Sequence, residues 1–201
     1  MIHWPRTIKP LVLLAALAAA LALVPSASAS SCGARSVSQP FAPWGDTNDY
    51  FRLVGGGFEN SLDGWNLASG NVSFGYNQPW WLDGQQTGSA SVRLYAGASL
   101  VSQPFCAARD ENVVRMFVRN SGRAGSWLRV TAHVETDVAS WDEQIGWFDG
   151  ASRGWSLSPQ MTLWDMGTAS DQADVTLTFE TGGSWGVWGI DDVYVDPFRS
   201  T

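Results

Sequence analysis

Trp127, Arg129, Thr131 and His133 occupy every second position in a stretch whose intervening residues, Leu128, Val130, Ala132 and Val134, are aliphatic. In extended chain successive side chains point to opposite faces, so this spacing gathers an indole, a guanidinium, a hydroxyl and an imidazole on one surface. Such a surface has the chemistry to hold a pyranose. The C–H face of a sugar ring packs on an electron-rich aromatic ring, and flanking polar groups hydrogen-bond its hydroxyls. Upstream, Arg115, Phe117 and Arg119 alternate with Val114, Met116 and Val118, and Asn120-Ser121-Gly122-Arg123-Ala124-Gly125 reads as a turn. The pattern predicts a hairpin in which Arg119 lies opposite Trp127, Phe117 opposite Arg129 and Arg115 opposite Thr131. Of the 12 tryptophans, all but Trp4 follow residue 29, more than a core of this size requires. Trp80 and Trp81, and Trp141 and Trp147 of an acidic stretch, are the further candidates to reach the same surface. The competing arrangement has the segment before residue 50 shielding Trp127 and Phe117, with the other tryptophans closing the ends of the domain.

Catalytic constellations are thin by comparison. His133 is the sole histidine after His3, so serine-histidine-aspartate chemistry would need an unmarked serine, and zinc would lack its customary His or Cys ligands. Asp142, Glu143 and Asp165 are the carboxylates available for glycoside hydrolysis, but adjacent acids in a polar stretch are ordinarily solvated. Gln144-Ile145 is followed by Gly146, whereas jelly-roll polysaccharide lyases place a histidine after such a pair. The residues point to binding rather than to an enzyme.

The elements that must carry these side chains are strands. Helical periodicity is nearly absent after residue 29, while short alternating runs bounded by Gly, Asn, Asp, Ser and Pro recur. Val175, Leu177 and Phe179 against Asp174, Thr176, Thr178 and Glu180 repeat the amphipathic alternation. Further strands are expected near 50–59, 64–76, 89–95, 98–105, 144–148, 154–163 and 185–195. This predicts an all-β fold, a two-sheet antiparallel β-sandwich of jelly-roll type. The stretch 136–150 reads either as a long loop or as irregular edge strands.

The segment before residue 30 has a different character. Arg6 and Lys9 precede an unbroken run of Leu, Ala and Val from Leu11 to Val24, and Ala27-Ser28-Ala29 is a small-residue cleavage pattern. Residues 1–29 therefore read as a signal peptide, with an apolar run short for a membrane span. Residues 30–49 form an arm, and 50–201 the sandwich domain. The full chain has net charge −7, and every Asp and Glu follows residue 29. Such a surface repels phosphate backbones and anionic headgroups, which disfavours nucleic acid and membrane partners. Cys32 and Cys106 are the only cysteines, and an even count in an exported chain predicts a disulfide that pins the arm to the domain. The alternative, acylation of Cys32 in a cell-surface lipoprotein, lacks the usual upstream leucine and orphans Cys106.

Two segments carry a family resemblance. Gly55-Gly56-Gly57-Phe58-Glu59-Asn60-Ser61-Leu62-Asp63-Gly64-Trp65 resembles the opening, and Trp188-Gly189-Ile190-Asp191-Asp192-Val193-Tyr194-Val195 the closing, of the carbohydrate-binding modules grouped as families 4, 9 and 22. These are galactose-binding-like jelly rolls. The resemblance implies that the first and last strands are neighbours and that Glu59 and Asp191 bind a structural calcium, with backbone carbonyls and water completing six to eight oxygen ligands. Trp65 and Trp188 are expected in the core. A second likeness, to uncharacterised exported bacterial proteins sharing Phe117-Val118-Arg119-Asn120, spans nearly all of the chain after the leader and implies no particular activity. The function these readings imply is a secreted, monomeric, non-catalytic module that binds an extracellular or cell-wall polysaccharide through Phe117, Trp127, Arg129, His133, Trp80, Trp81, Trp141 and Trp147. A structural or protein-interaction sandwich of the cell exterior is the alternative.

Overall fold

The computed structural model describes residues 32–82, 85–86, 88–109, 111–151, 153–163 and 172–196. The leader and Asp165 lie outside these residues. The strands run β1 Phe51–Arg52, β2 Asn66–Phe74, β3 Trp81–Leu82, β4 Gln85–Gln86, β5 Ala90–Val101, β6 Phe105–Ala108, β7 Val113–Ser121, β8 Ser126–Glu135, β9 Ser140–Asp149, β10 Arg153–Leu157, β11 Met161–Thr162, β12 Gln172–Gly183 and β13 Trp188–Asp196. All pairings among them are antiparallel. The main sheet follows the order β10-β7-β13-β5-β12-β8-β9. It curls on itself into two packed layers because β5 serves both. Val92–Leu94 pair with β13, whereas Ser99–Val101 pair with β12. Gly97, at φ +80°, stands between these halves in a conformation that a side chain resists. The two short strands expected over 89–105 are thus one long bent strand followed by β6.

The curl overturns the predicted hairpin. β7 pairs with β13, β10 and β11, and β8 pairs with β12 and β9, so the two are never hydrogen-bonded to each other. They lie in opposite layers. Their aliphatic faces, Val114, Met116 and Val118 on one side and Leu128, Val130, Ala132 and Val134 on the other, meet in a single buried core with Leu94, Leu100, Phe179 and Ile190. The polar faces of β7 and β8 consequently point away from each other, to the two outsides of the sandwich. Alternation fixes which residues are inside but does not name the partner strand. Trp65 and Trp188 are buried, as expected.

The arm folds over the outer face of the first layer. Phe41, from a 3-10 turn edge at Ala42–Trp44, is fully buried with Tyr50, Leu82, Phe117 and Tyr194 in a second apolar cluster. Each such side chain contributes roughly 1.5–3 kcal/mol by leaving water. Cys32 and Cys106 are joined in a disulfide with their Cα atoms 5.5 Å apart. Arg35 bonds the Glu111 carboxylate and the Cys106 carbonyl beside it. Farther along, the Asp46 carboxylate accepts from Tyr50 Oη at 2.8 Å and pairs with Arg115 of β7.

Candidate functional site

The second layer keeps its outer face open. Strands β12, β8 and β9 lie side by side there, and register places Gly182, Trp127 and Asp149 in one row, then Glu180, Arg129 and Trp147, then Thr178, Thr131 and Gln144, then Thr176, His133 and Asp142. The stretch 136–150, left open by the sequence, supplies the edge strand β9. It carries one extra residue, Ile145, between the pairs Val130/Gly146 and Thr131/Gln144. The irregularity lets Trp147 and Asp142 both face outward.

Trp127 lies across the backbone of Gly182: a Cβ built there would stand 2.2 Å from its Cζ2. Its other neighbour is Trp147, stacked at 5.0 Å between ring centroids and 23° between planes. Trp147 is 47% exposed, and its Nε1 donates to Asp149 at 3.2 Å. Arg129 donates from Nε and Nη2 to one Glu180 oxygen at 3.1 and 2.6 Å and stands 5.9 Å from the Trp127 ring. His133 Nδ1 lies 2.8 Å from Asp142 Oδ1. The arrangement offers a double indole platform flanked by held polar groups, with the stiffness of a sheet beneath it.

Four of the eight candidate residues for sugar binding come together here: Trp127, Trp147, Arg129 and His133. The other four do not. Phe117 is fully buried on the opposite layer, under Trp80, which stacks on it at 5.2 Å, and against the edges of Phe41 and Trp44. The expectation that Phe117 is accessible fails because the arm covers its face. Trp80 and Trp81 belong to that same covered side, where Leu82 enters the second apolar cluster, although Trp81 itself is 63% exposed. Trp141 turns inward and packs against the main core, since it falls on the inward parity of β9 opposite Val134. Glu180, Asp142 and Gln144 were missed as partners of the face; their signal was the outward parity of β12 and of the stretch after residue 139.

The two motif segments do meet. β1 pairs with β13, and the glycine turn is stitched to the bulge of β13 by Leu53 N to Val193 O at 3.0 Å and Val193 N to Gly56 O at 3.1 Å. The close approach needs glycine at Gly56, where a Cβ would lie 3.0 Å from two carbonyl oxygens. Asp191 is buried and accepts from the backbone N–H of Gln78 and of Asp192, both at 2.9 Å. Burial first, then the charge of Asp192, push its carboxyl well above the ordinary carboxylate range, and Glu59 adds to the push. Asp192 bonds Arg52 and the Gln78 side chain, and Glu59 accepts from Ser89 N and Ala90 N at 2.8 Å. Among the described residues no group of three or more His, Cys, Asp and Glu converges as a metal site. The donor set fits calcium only with carbonyls supplying most of the shell. A carboxylate has about four acceptor positions: Asp191 uses two on N–H donors, whereas Glu59 takes Ser89 N on both oxygens, Ser89 Oγ and Ala90 N, so calcium there would have to displace some of these contacts.

No family model matches the chain, and no curated protein matches it. Solved structures do. The xylan-binding family 22 module of Paenibacillus barcinonensis Xyn10C is similar at 12% identity over 72% of this chain and 93% of that one, with a TM-score of 0.51. The chain shares the fold of that carbohydrate-binding module. Similarity of lower score extends to a family 61 module, TmCBM61, in complex with β-1,4-galactotriose, at 15% identity over 74% of this chain and 98% of that chain with a TM-score of 0.47. A Clostridium thermocellum xylanase with a family 22 module in complex with xylohexaose gives 15% identity, 70% of this chain, 27% of that chain and a TM-score of 0.48. At these identities the likeness speaks for fold alone, since sites are grafted onto folds.

Proposed function

We propose that this protein is an exported glycan-binding module that holds an extracellular or cell-wall polysaccharide on the outer face of β12, β8 and β9. The observation that carries the reading is the stacked pair Trp127 and Trp147, with Trp147 about half exposed on a sheet face whose other outward side chains are hydrogen-bonding groups. An apolar patch for a protein partner would not interleave its aromatics with Arg129, Glu180, His133 and Asp142. In this reading the module acts by binding, and His133, held on Asp142 at 2.8 Å, is a polar group of the sugar face. The Cys32–Cys106 disulfide supports the reading of an oxidising, exported environment, where such bonds form and persist. Calcium held by Glu59 and Asp191, with a structural role away from the sugar face, belongs to the same proposal.

The test is affinity electrophoresis of the chain without its leader through gels containing xylan, galactan or cellulose. At least one polysaccharide should retard the wild-type protein. Trp127→Ala and Trp147→Ala should each weaken binding by about 1–3 kcal/mol, roughly 5- to 150-fold. The melting temperature of Trp147→Ala should stay close to wild type, because its side chain is largely outside. Retardation by none of the polysaccharides, or retardation indifferent to both substitutions, would sink the proposal.

A further inference from the structure

At one end of the sandwich the chain crosses between layers three times, from β7 to β8, from β9 to β10 and from β12 to β13. These crossings wall a cleft lined by Ser69, Tyr95, Arg123, Arg153 and Trp185 among others. Its chemistry differs from that of the sheet face. The chain as a whole has 19 acidic against 12 basic residues, yet among the described residues no acidic side chain lines this cleft and two arginines do. Among the described residues neither Arg123 nor Arg153 has an ion-pair partner. Trp185 is 87% exposed, the most open of the large apolar side chains among the described residues.

The groups are held in place. Arg123 donates from Nε to the Trp185 carbonyl at 3.0 Å, and its own N–H is taken by Asn120 Oδ1 at 3.1 Å. The stem of Arg153 lies against Gly122, where a Cβ would stand 2.2 Å from Arg153 Cγ. The β12–β13 crossing is tied to the β7–β8 crossing by Ser184 N to Gly125 O at 2.9 Å, and Ser121 and Val187 exchange bonds at 3.0 and 3.1 Å. On the far wall Ser69 adopts φ +63° at the bulge of β2, and the Tyr95 hydroxyl is fixed on Asn71 at 2.7 Å.

We infer that this cleft is a second binding site, selective for a carboxylated sugar residue of the hexuronate class. Trp185 supplies the stacking surface for the ring. Arg153 and Arg123 supply guanidinium N–H groups in the planar geometry that a carboxylate accepts from two at a time. The Ser69 and Tyr95 side opposes them with hydroxyls for the ring substituents. A sulfate or phosphate would satisfy the arginines equally but would give Trp185 nothing to cover, so the indole argues for a sugar acid.

The experiment is isothermal titration with trisaccharides of galacturonate, glucuronate and mannuronate, each beside its neutral methyl ester. At least one acidic trisaccharide should bind, at least tenfold more tightly than its ester, and the affinity should fall as salt rises. Trp185→Ala and Arg153→Gln should each weaken it at least tenfold, while Trp147→Ala should leave it unchanged. Amide spectra of the variants establish that each is folded, and the Trp185 indole N–H should shift on titration. Absence of binding by all three acids overturns the site, as does equal affinity for an ester or a loss of acid binding in Trp147→Ala instead of Trp185→Ala. Failure of the sheet-face proposal alone would leave this pattern intact, because the two sites answer to different tryptophans and different ligands.

Discussion

A glycine decides where the central indole of the sheet face lies. Trp127 rests on Gly182 because that position lacks a Cβ, and a built one would overlap the indole at 2.2 Å. Gly182→Val should therefore lift Trp127 off β12 and break its stack with Trp147. Its aliphatic addition suits a strand, so the fold should survive, whereas polysaccharide retardation should drop to the level of Trp127→Ala. The check is paired: melting by circular dichroism and retardation in the same gels. Retained binding in a folded Gly182→Val would mean that the flat pose of Trp127 is not what the sugar uses. Phe117 teaches the complement. It has the residue type and alternation of an outward aromatic, but Phe41, Trp44 and Trp80 cover it.

The arm, residues 33–49, is attached in part through a titratable group. Its latch centres on Asp46, which pairs with Arg115, accepts from Tyr50 and Gln160, and stands near Asn48 and, through Tyr50, Asp196. Burial raises the Asp46 carboxyl, but the hydrogen bonds from Tyr50, Arg115, Asn48 and Gln160 outweigh it and hold the group below the usual carboxylate range. A carboxyl depressed in the folded state contributes stability that is present above its unfolded value of about 4 and is lost as pH falls through the folded value. Acid should thus loosen the arm, with the disulfide keeping it tethered. The expected readout is hydrogen exchange over residues 38–50 accelerating below about pH 4, and Asp46→Asn should show that acceleration already at neutral pH. Equal protection of Asp46→Asn and wild type would remove Asp46 from the latch.

At the scale of the whole molecule, the seam between β1, the glycine turn and β13 closes the sandwich, and three acids lie along it: Glu59, Asp191 and Asp192. Arg52 is the cation that the chain itself provides, bonded to Asp192 at 3.1 Å. Calcium binding at Glu59 and Asp191 would add charge compensation to the native state alone and stabilise it by mass action, about 2.7 kcal/mol at a hundredfold excess over its dissociation constant. The melting temperature should accordingly rise on adding calcium to protein stripped with EDTA, and Asp191→Asn should abolish the rise. An identical melting curve with and without calcium would assign the whole charge balance of the seam to Arg52 and the backbone N–H donors.

Residue type and alternation by themselves determined that this chain is all-β, which side chains of β7, β8 and β12 face a core, that Trp65 and Trp188 lie inside, and that Cys32 can join Cys106. That the two motif segments meet was implied by their resemblance to the carbohydrate-binding modules and not by residue type or alternation. The properties that type and alternation determine are local or pairwise, set by backbone parity, steric allowance and covalent chemistry, and so are written along the chain. Strand partnership is not. A curled sheet and a hairpin bury the same aliphatic stripe, and only the bend of β5 decided that β7 and β8 sit in opposite layers. That one choice placed Phe117, Trp80 and Trp81 on one outside and Trp127, Arg129 and His133 on the other, let the arm cover the first, and brought β9 beside the second. Which aromatic rings are free to meet a ligand depends on what packs over each face, a long-range competition for apolar surface that alternation along the chain does not encode.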